Sequence, residues 1–199
     1  MAFDDIQIHS SQGGVNPRIF YFGMDASEAF SRGDVVTLAD TGQVQEALTT
    51  GVLPAGLTGV AMAGSVGPVG TTYNNPRTGT TYTENDAIPV AMFDLGTVWR
   101  THQFTEAAST FNEAAPTRAS IGDTCSIMSI GGVWGVDQGE DADEATCRIM
   151  DVLNARGESI QDTGETLTAT ATDYWVIFQV VAHMQTPDSA EAADPISET

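Results

Sequence analysis

The residues that could do chemistry are few. The densest group is Asp137-Gln138-Gly139-Glu140-Asp141-Ala142-Asp143-Glu144, which puts five carboxylates into eight residues. Charges this close repel one another, and a hard cation with oxygen ligands would relieve the repulsion, Ca2+ before Mg2+. Asp137, Asp141, Asp143 and Glu144 are the candidate ligands. The spacing departs from an EF-hand loop, because the alternating acids fall out of register and no bidentate glutamate stands at the twelfth position. A solvated hairpin tip is the commoner use of such a run, and no cofactor is expected.

The histidines His9, His102 and His183 stand alone, without the short spacing that marks zinc ligands. His183 closes the most apolar strand pattern, where a hydrogen-bonded structural histidine is expected. The stretch Ala63-Gly64-Ser65-Val66-Gly67-Pro68-Val69-Gly70 has the glycine content of a phosphate cradle, but no lysine follows and Pro68 removes an amide donor. It reads as a loop between strands. No GxSxG nucleophile elbow occurs. With 27 acidic residues, some pair will lie at the separation glycoside hydrolysis needs, so acid count alone argues nothing. Trp99, Trp134 and Trp175 could build a sugar platform, yet Trp134 and Trp175 sit in alternating strand contexts that suit core or interface. Trp99, beside Arg100, is expected nearer the surface. No residue is assigned a catalytic role, and the protein is expected not to be an enzyme.

Short β-strands must position these groups. Strand signals recur between Gly, Asn, Asp and Pro clusters, which predicts an all-β chain of small barrel or sandwich modules. Residues 1–28 lack a sustained period and end in Arg18-Ile19-Phe20-Tyr21-Phe22. They are expected to form an N-terminal arm, partly extended, that adds a strand to a neighbour. A first module is expected over 29–95, closing on Ile88-Pro89-Val90, with Pro89 confining that strand to an edge or to its first residues. A connector over 96–117 holds the one helix candidate, Glu106 to Ala115, stopped by Pro116. A second module over 118–185 precedes an acidic tail over 186–199, expected to be flexible.

The second module repeats the grammar of the first. Ser31, Gly33, Asp34, Val36, Leu38, Gly42 and Val44 line up at a constant offset with Ser120, Gly122, Asp123, Cys125, Ile127, Gly131 and Val133. Val60 then falls opposite Ile149. The pattern suggests two similar modules, or one folded around a pseudo-repeat.

Composition narrows the partners. The chain of 199 residues is long enough to bury a core unaided, and 41% hydrophobic against 17% charged residues argues for a folded protein. A net charge of −20, from 27 acids against 7 arginines and no lysine, repels phosphate backbones and anionic membrane surfaces. Neither nucleic acid nor membrane is an expected partner; a partner chosen electrostatically would be a basic surface or a divalent cation. The acidic start Met1-Ala2-Phe3-Asp4-Asp5 is unlike a signal peptide, and no apolar run approaches the ~20 residues of a spanning helix. Cys125 and Cys147 are too far apart for a CxxC motif; buried free thiols are the first reading and one cross-strand disulfide the second.

The phrases Gly33-Asp34-Val35-Val36, Gly59-Val60-Ala61 and Ile88-Pro89-Val90, with their second round in Ile121-Gly122-Asp123, Gly131–Asp137 and Tyr174–Phe178, resemble the small β-barrel grammar of tailed-bacteriophage capsid decoration (cement) proteins. The resemblance covers roughly residues 29–184. It implies a structural virion protein on the outer capsid surface, with the major capsid protein as partner and a homo-oligomer, by analogy a trimer. Ile19, Phe20, Tyr21, Phe22 and Trp99 are then the expected capsid or subunit interface. Three other readings stand beside it: a carbohydrate-binding or receptor-recognising β module, a secreted β-sandwich hydrolase, and another virion part such as a tail or fibre protein.

Overall fold

A computed structural model describes residues 6–11, 18–25, 29–39, 41–47, 57–64, 74–106, 110–139, 147–170 and 172–181. The strands are β1 (Ile6–Ser11), β2 (Ile19–Gly23), β3 (Val35–Leu38), β4 (Val44–Glu46), β5 (Leu57–Ala61), β6 (Ala87–Met92), β7 (Thr97–Thr101), β8 (Phe104–Thr105), β9 (Thr124–Ile130), β10 (Val133–Asp137), β11 (Cys147–Asn154) and β12 (Tyr174–Val180). They form a five-stranded sheet in the order β2-β6-β5-β3-β4 and a seven-stranded sheet in the order β1-β7-β12-β11-β9-β10-β8. The fold is all-β, with a single helical turn, α1 (Ile160–Thr163), and a 3-10 turn over Arg118–Ser120 among the described residues.

Both sheets follow one plan. Taken as one interrupted strand, β7 and β8 stand to β12, β11, β9 and β10 as β2 stands to β6, β5, β3 and β4. Five antiparallel strands curling toward closure must meet in one parallel contact, because the first and fifth point the same way. That contact is the Met24–Val44 bridge in the first sheet and the short β8–β10 pairing in the second. Neither sheet closes into a complete barrel.

The turn chemistry repeats as well. Gly33 and Gly122 have φ of 99° and 96°, and each precedes an aspartate whose N–H donates to Ser31 or Ser120. Gly33 N–H donates to Ala61 O at 2.9 Å, and Gly122 N–H to Ile149 O at 2.8 Å. The backbone counterpart of Ile149 is therefore Ala61, one residue beyond the Val60 that a constant offset selects.

The modules do not stand apart. Alternation along the first sheet sends Val35, Val60 and Ala91 to one face, where they join Trp99, Phe104, Ile127, Trp134 and Phe178 in a shared core. Their neighbours Val36, Ala61, Val90 and Ile88 face the other way and pack with Met24, Phe30 and Tyr82. The first sheet is thus apolar on both faces, which explains why its strands read as continuous apolar runs rather than alternating ones.

Several expectations need correction. Part of the segment read as an arm is integral, since β1 pairs with β7 and Ile6 is 2% exposed in the shared core. The segment read as a connector supplies β7, which lies between β1 and β12. Its described part from Phe111 to Ala115 contains no helix, and Asn112 there takes a φ of 63°. The helical turn forms instead at α1, where the Ser159 hydroxyl accepts from Gln161 N–H and Gly164 ends the turn at φ 71°. Strand β6 is internal, and Pro89 is tolerated because its missing N–H faces the end of the β5 ladder, where only Met62 N–H still bonds to Pro89 O at 2.8 Å. Residues 182–199, with His183 and the acidic tail, lie outside the described residues.

Candidate functional site

The exposed side of β2 is the most distinctive surface. Ile19, Phe20 and Tyr21 are 47%, 50% and 66% exposed, while Phe22 is half-buried beside the first-sheet core. The register explains the exposure. Met92 N–H bonds to Arg18 O and Met24 N–H to Asp86 O, so the even-numbered residues of β2 pair with β6. The backbone groups of Ile19 and Tyr21 consequently point away from β6, toward the side on which β4 meets the end of β2 at the Met24–Val44 bridge.

The equivalent strand in the second sheet, β7, is covered there by β1. Phe20 sits opposite Val90 as Trp99 sits opposite Phe178, so the two aromatics occupy matching places. Their fates differ. Trp99 is fully buried and meets Phe93 edge-on at 5.1 Å, which removes it from the expected interface. The inward alternation of Thr97, Trp99 and Thr101 is the physical reason. The four β2 residues expected at an interface are brought together on one strand; Trp99 is not with them.

A recess of about 210 Å³ lies where β1 meets the first sheet, lined by Ile6, Ile8, Arg32, Met62, Trp99 and Arg100. Arg100 is held in place, donating to Gln7 Oε1 at 2.9 Å and lying 4.3 Å over the Trp175 ring. His102 also packs against Trp175, and its Nδ1 bonds to Tyr174 O. A carbonyl only accepts, so Nδ1 carries the proton. Burial holds His102 below the ordinary histidine range; the bond to Tyr174 opposes this and the Arg100 charge adds to it. These contacts lock a stack without bringing a nucleophile and a base together.

The acidic loop is only partly described. Asp141, Asp143 and Glu144 lie outside the described residues, and Asp137 is no loop residue at all. Asp137 ends β10 fully buried, and its Oδ1 accepts from Gly139 N–H at 2.8 Å. Gly139 is obligatory there, since a Cβ would lie 2.1 Å from Glu106 O. Asp137 thus organises a turn in place of offering an open ligand. Among the described residues, no three His, Cys, Asp or Glu side chains converge on a metal position.

Cys125 and Cys147 face each other in the β9–β11 ladder with Cα atoms 5.1 Å apart and are joined as a disulfide. The first reading of buried free thiols gives way to the second. Register, which the sequence did not reveal, decides this.

None of the three comparisons, with family models, curated proteins and solved structures, finds a match to this chain.

Proposed function

We propose that this is a structural, non-enzymatic virion protein that seats on the outer surface of a tailed-phage capsid and braces the shell. The observation that carries this reading is the pairing of a duplicated β scaffold with one exposed, charge-free strand, Ile19–Gly23, on a chain of net charge −20. A brace needs a stiff body, and two modules sharing one core supply it. The acidic surface repels DNA released or packaged nearby. The apolar strand gives an adhesive surface toward the major capsid protein or a sister subunit.

A sugar-binding reading loses its platform, because Trp99 and Trp134 are buried and Trp175 is covered by Arg100 and His102. The test is electron microscopy of the particle whose genome encodes the chain. A β-rich knob on the outer shell, with β2 at a protein contact, is the expected result. Absence of the protein from the purified particle would overturn the reading.

A further inference from the structure

We propose that Cys125 and Cys147 form a redox latch on the second module, which folds as a dithiol and is locked when an oxidising medium joins the pair. This does not depend on the capsid reading. The duplication shows what the bond replaces. Gly122 and Ile149 hold the places of Gly33 and Ala61, and the next backbone bonds match too: Ile149 N–H donates to Asp123 O and Ala61 N–H to Asp34 O, both at 2.9 Å. The rung Arg148–Thr124 is then the counterpart of Val60–Val35, and Cys147–Cys125 that of Gly59–Val36. In the first sheet the ladder runs on to Leu57–Thr37. In the second, among the described residues, it ends at the cysteines. The cross-link therefore stands at the last rung of a ladder that its twin continues with backbone pairing alone.

The β9–β10 hairpin hangs on this rung. Its own two strands pair from Val133–Ile130 to Asp137–Ser126. Its attachments are shorter, with two rungs to β11 on one side and two parallel pairs to β8 on the other. Burial of Ile127, Trp134 and Val136 keeps the hairpin seated without the bond, so the dithiol chain is folded. These two seams are still where a local opening breaks the fewest backbone bonds. Both cysteines are buried, at 1% and 0% exposure, so thiol–disulfide exchange waits on that opening. One thiolate then attacks a small-molecule disulfide and releases its first thiol. The second thiolate attacks the mixed disulfide and releases the other thiol. Two protons pass to solvent and two electrons to the oxidant. The finished bond crosses the seam that had to open, which denies a reducing thiolate its path. The latch closes readily and reopens slowly.

Hydrogen exchange read by mass spectrometry tests this on the full chain, once as the disulfide and once reduced in denaturant and refolded under dithiothreitol. Amides of β9 and β10 should exchange roughly 100-fold faster in the dithiol form, the order set by the loop-closure entropy of a cross-link with sequence separation 22. Amides of β5 and β6 in the first sheet should change by less than about threefold. Oxidised glutathione should restore the slow pattern. Dithiothreitol should reduce the native disulfide at least about tenfold more slowly than the urea-unfolded one. The double variant Cys125→Val, Cys147→Ala keeps the rung apolar and should show the fast pattern with no response to either reagent. Equal acceleration across both sheets would overturn the proposal, since the bond would then only add to global stability. An unchanged hairpin would overturn it as well. So would a reduced chain that fails to fold, because the latch must close on a folded protein.

Discussion

Replacing Ile6 with alanine separates an integral first strand from a dispensable arm. Ile6 is 2% exposed, belongs to the shared core and pairs with Thr101 at the end of the β1–β7 ladder. Burying an isoleucine and then truncating it loses the transfer energy of the deleted carbons and leaves a cavity, together about 2–5 kcal/mol. The lower half of that range is expected, because the recess beside Ile6 leaves one side thinly packed, with fewer contacts to lose. Ile19→Ala is the internal control. It lies in the same segment of the sequence, but its side chain is 47% exposed, so its loss is expected to stay within about 0.5 kcal/mol. Urea denaturation followed by tryptophan fluorescence reads both. With a slope of about 2 kcal/mol/M, a 3 kcal/mol loss moves the midpoint by about 1.5 M and leaves the slope unchanged. Equal and small shifts for the two variants would mean that β1 does not pack as described, and the first 28 residues would again be an arm.

Three further outcomes follow from single groups. Gly59→Ala should be among the most damaging small substitutions, at about 3 kcal/mol or more, because its Cβ would meet the Ala91 carbonyl oxygen at 2.2 Å where backbone cannot yield; thermal unfolding checks it. Tyr174→Phe should cost about 1–2 kcal/mol by urea titration, since it strips the hydroxyl donor from Asn112 Oδ1 and leaves that oxygen half-buried. His102 and His9 both sit below the ordinary histidine value, chiefly through burial, so the folded state favours the neutral rings. Their stabilisation is present above about pH 6.5, the unfolded value, and fades as pH falls toward their lower folded values. The melting temperature should drop across that window, and His102→Gln should flatten part of the slope.

Much of the architecture was legible because turns announce themselves. Gly33-Asp34 and Gly122-Asp123 have to take a left-handed backbone that glycine tolerates, and the strands beside them follow by alternation. That grammar made the shared plan of the two sheets legible. The register between strands was not legible, because pairing distant segments leaves no local mark. Val60 was matched to Ile149 for want of one residue, and Cys125 could not be set opposite Cys147. The burial of Trp99 was missed for a related reason: a neighbouring arginine is a surface signal only when the strand is at an edge, and β7 became internal through β1. The apolar run of β2 was visible as four consecutive large apolar residues, while its place as the counterpart of β7 needed the topology.

A duplicated sheet begins with two equal edges, and this chain treats them unequally. Edge strands in soluble proteins are commonly guarded by lysine, proline, a bulge or brevity, since an open row of N–H and C=O groups pairs with whatever strand comes near. The edge of β7 is guarded by β1, and the cover is irregular, with a register shift between Ile8 and Ser10. Strand β2 carries no charge, no proline and no bulge along Ile19–Gly23, and β4 meets its outer side at the strand end through the Met24–Val44 bridge. On a surface crowded with acids, placing a single carboxylate at Tyr21 would have protected the strand at almost no cost in stability. Leaving its first residues bare is explicable if that part of the edge is covered in the working state.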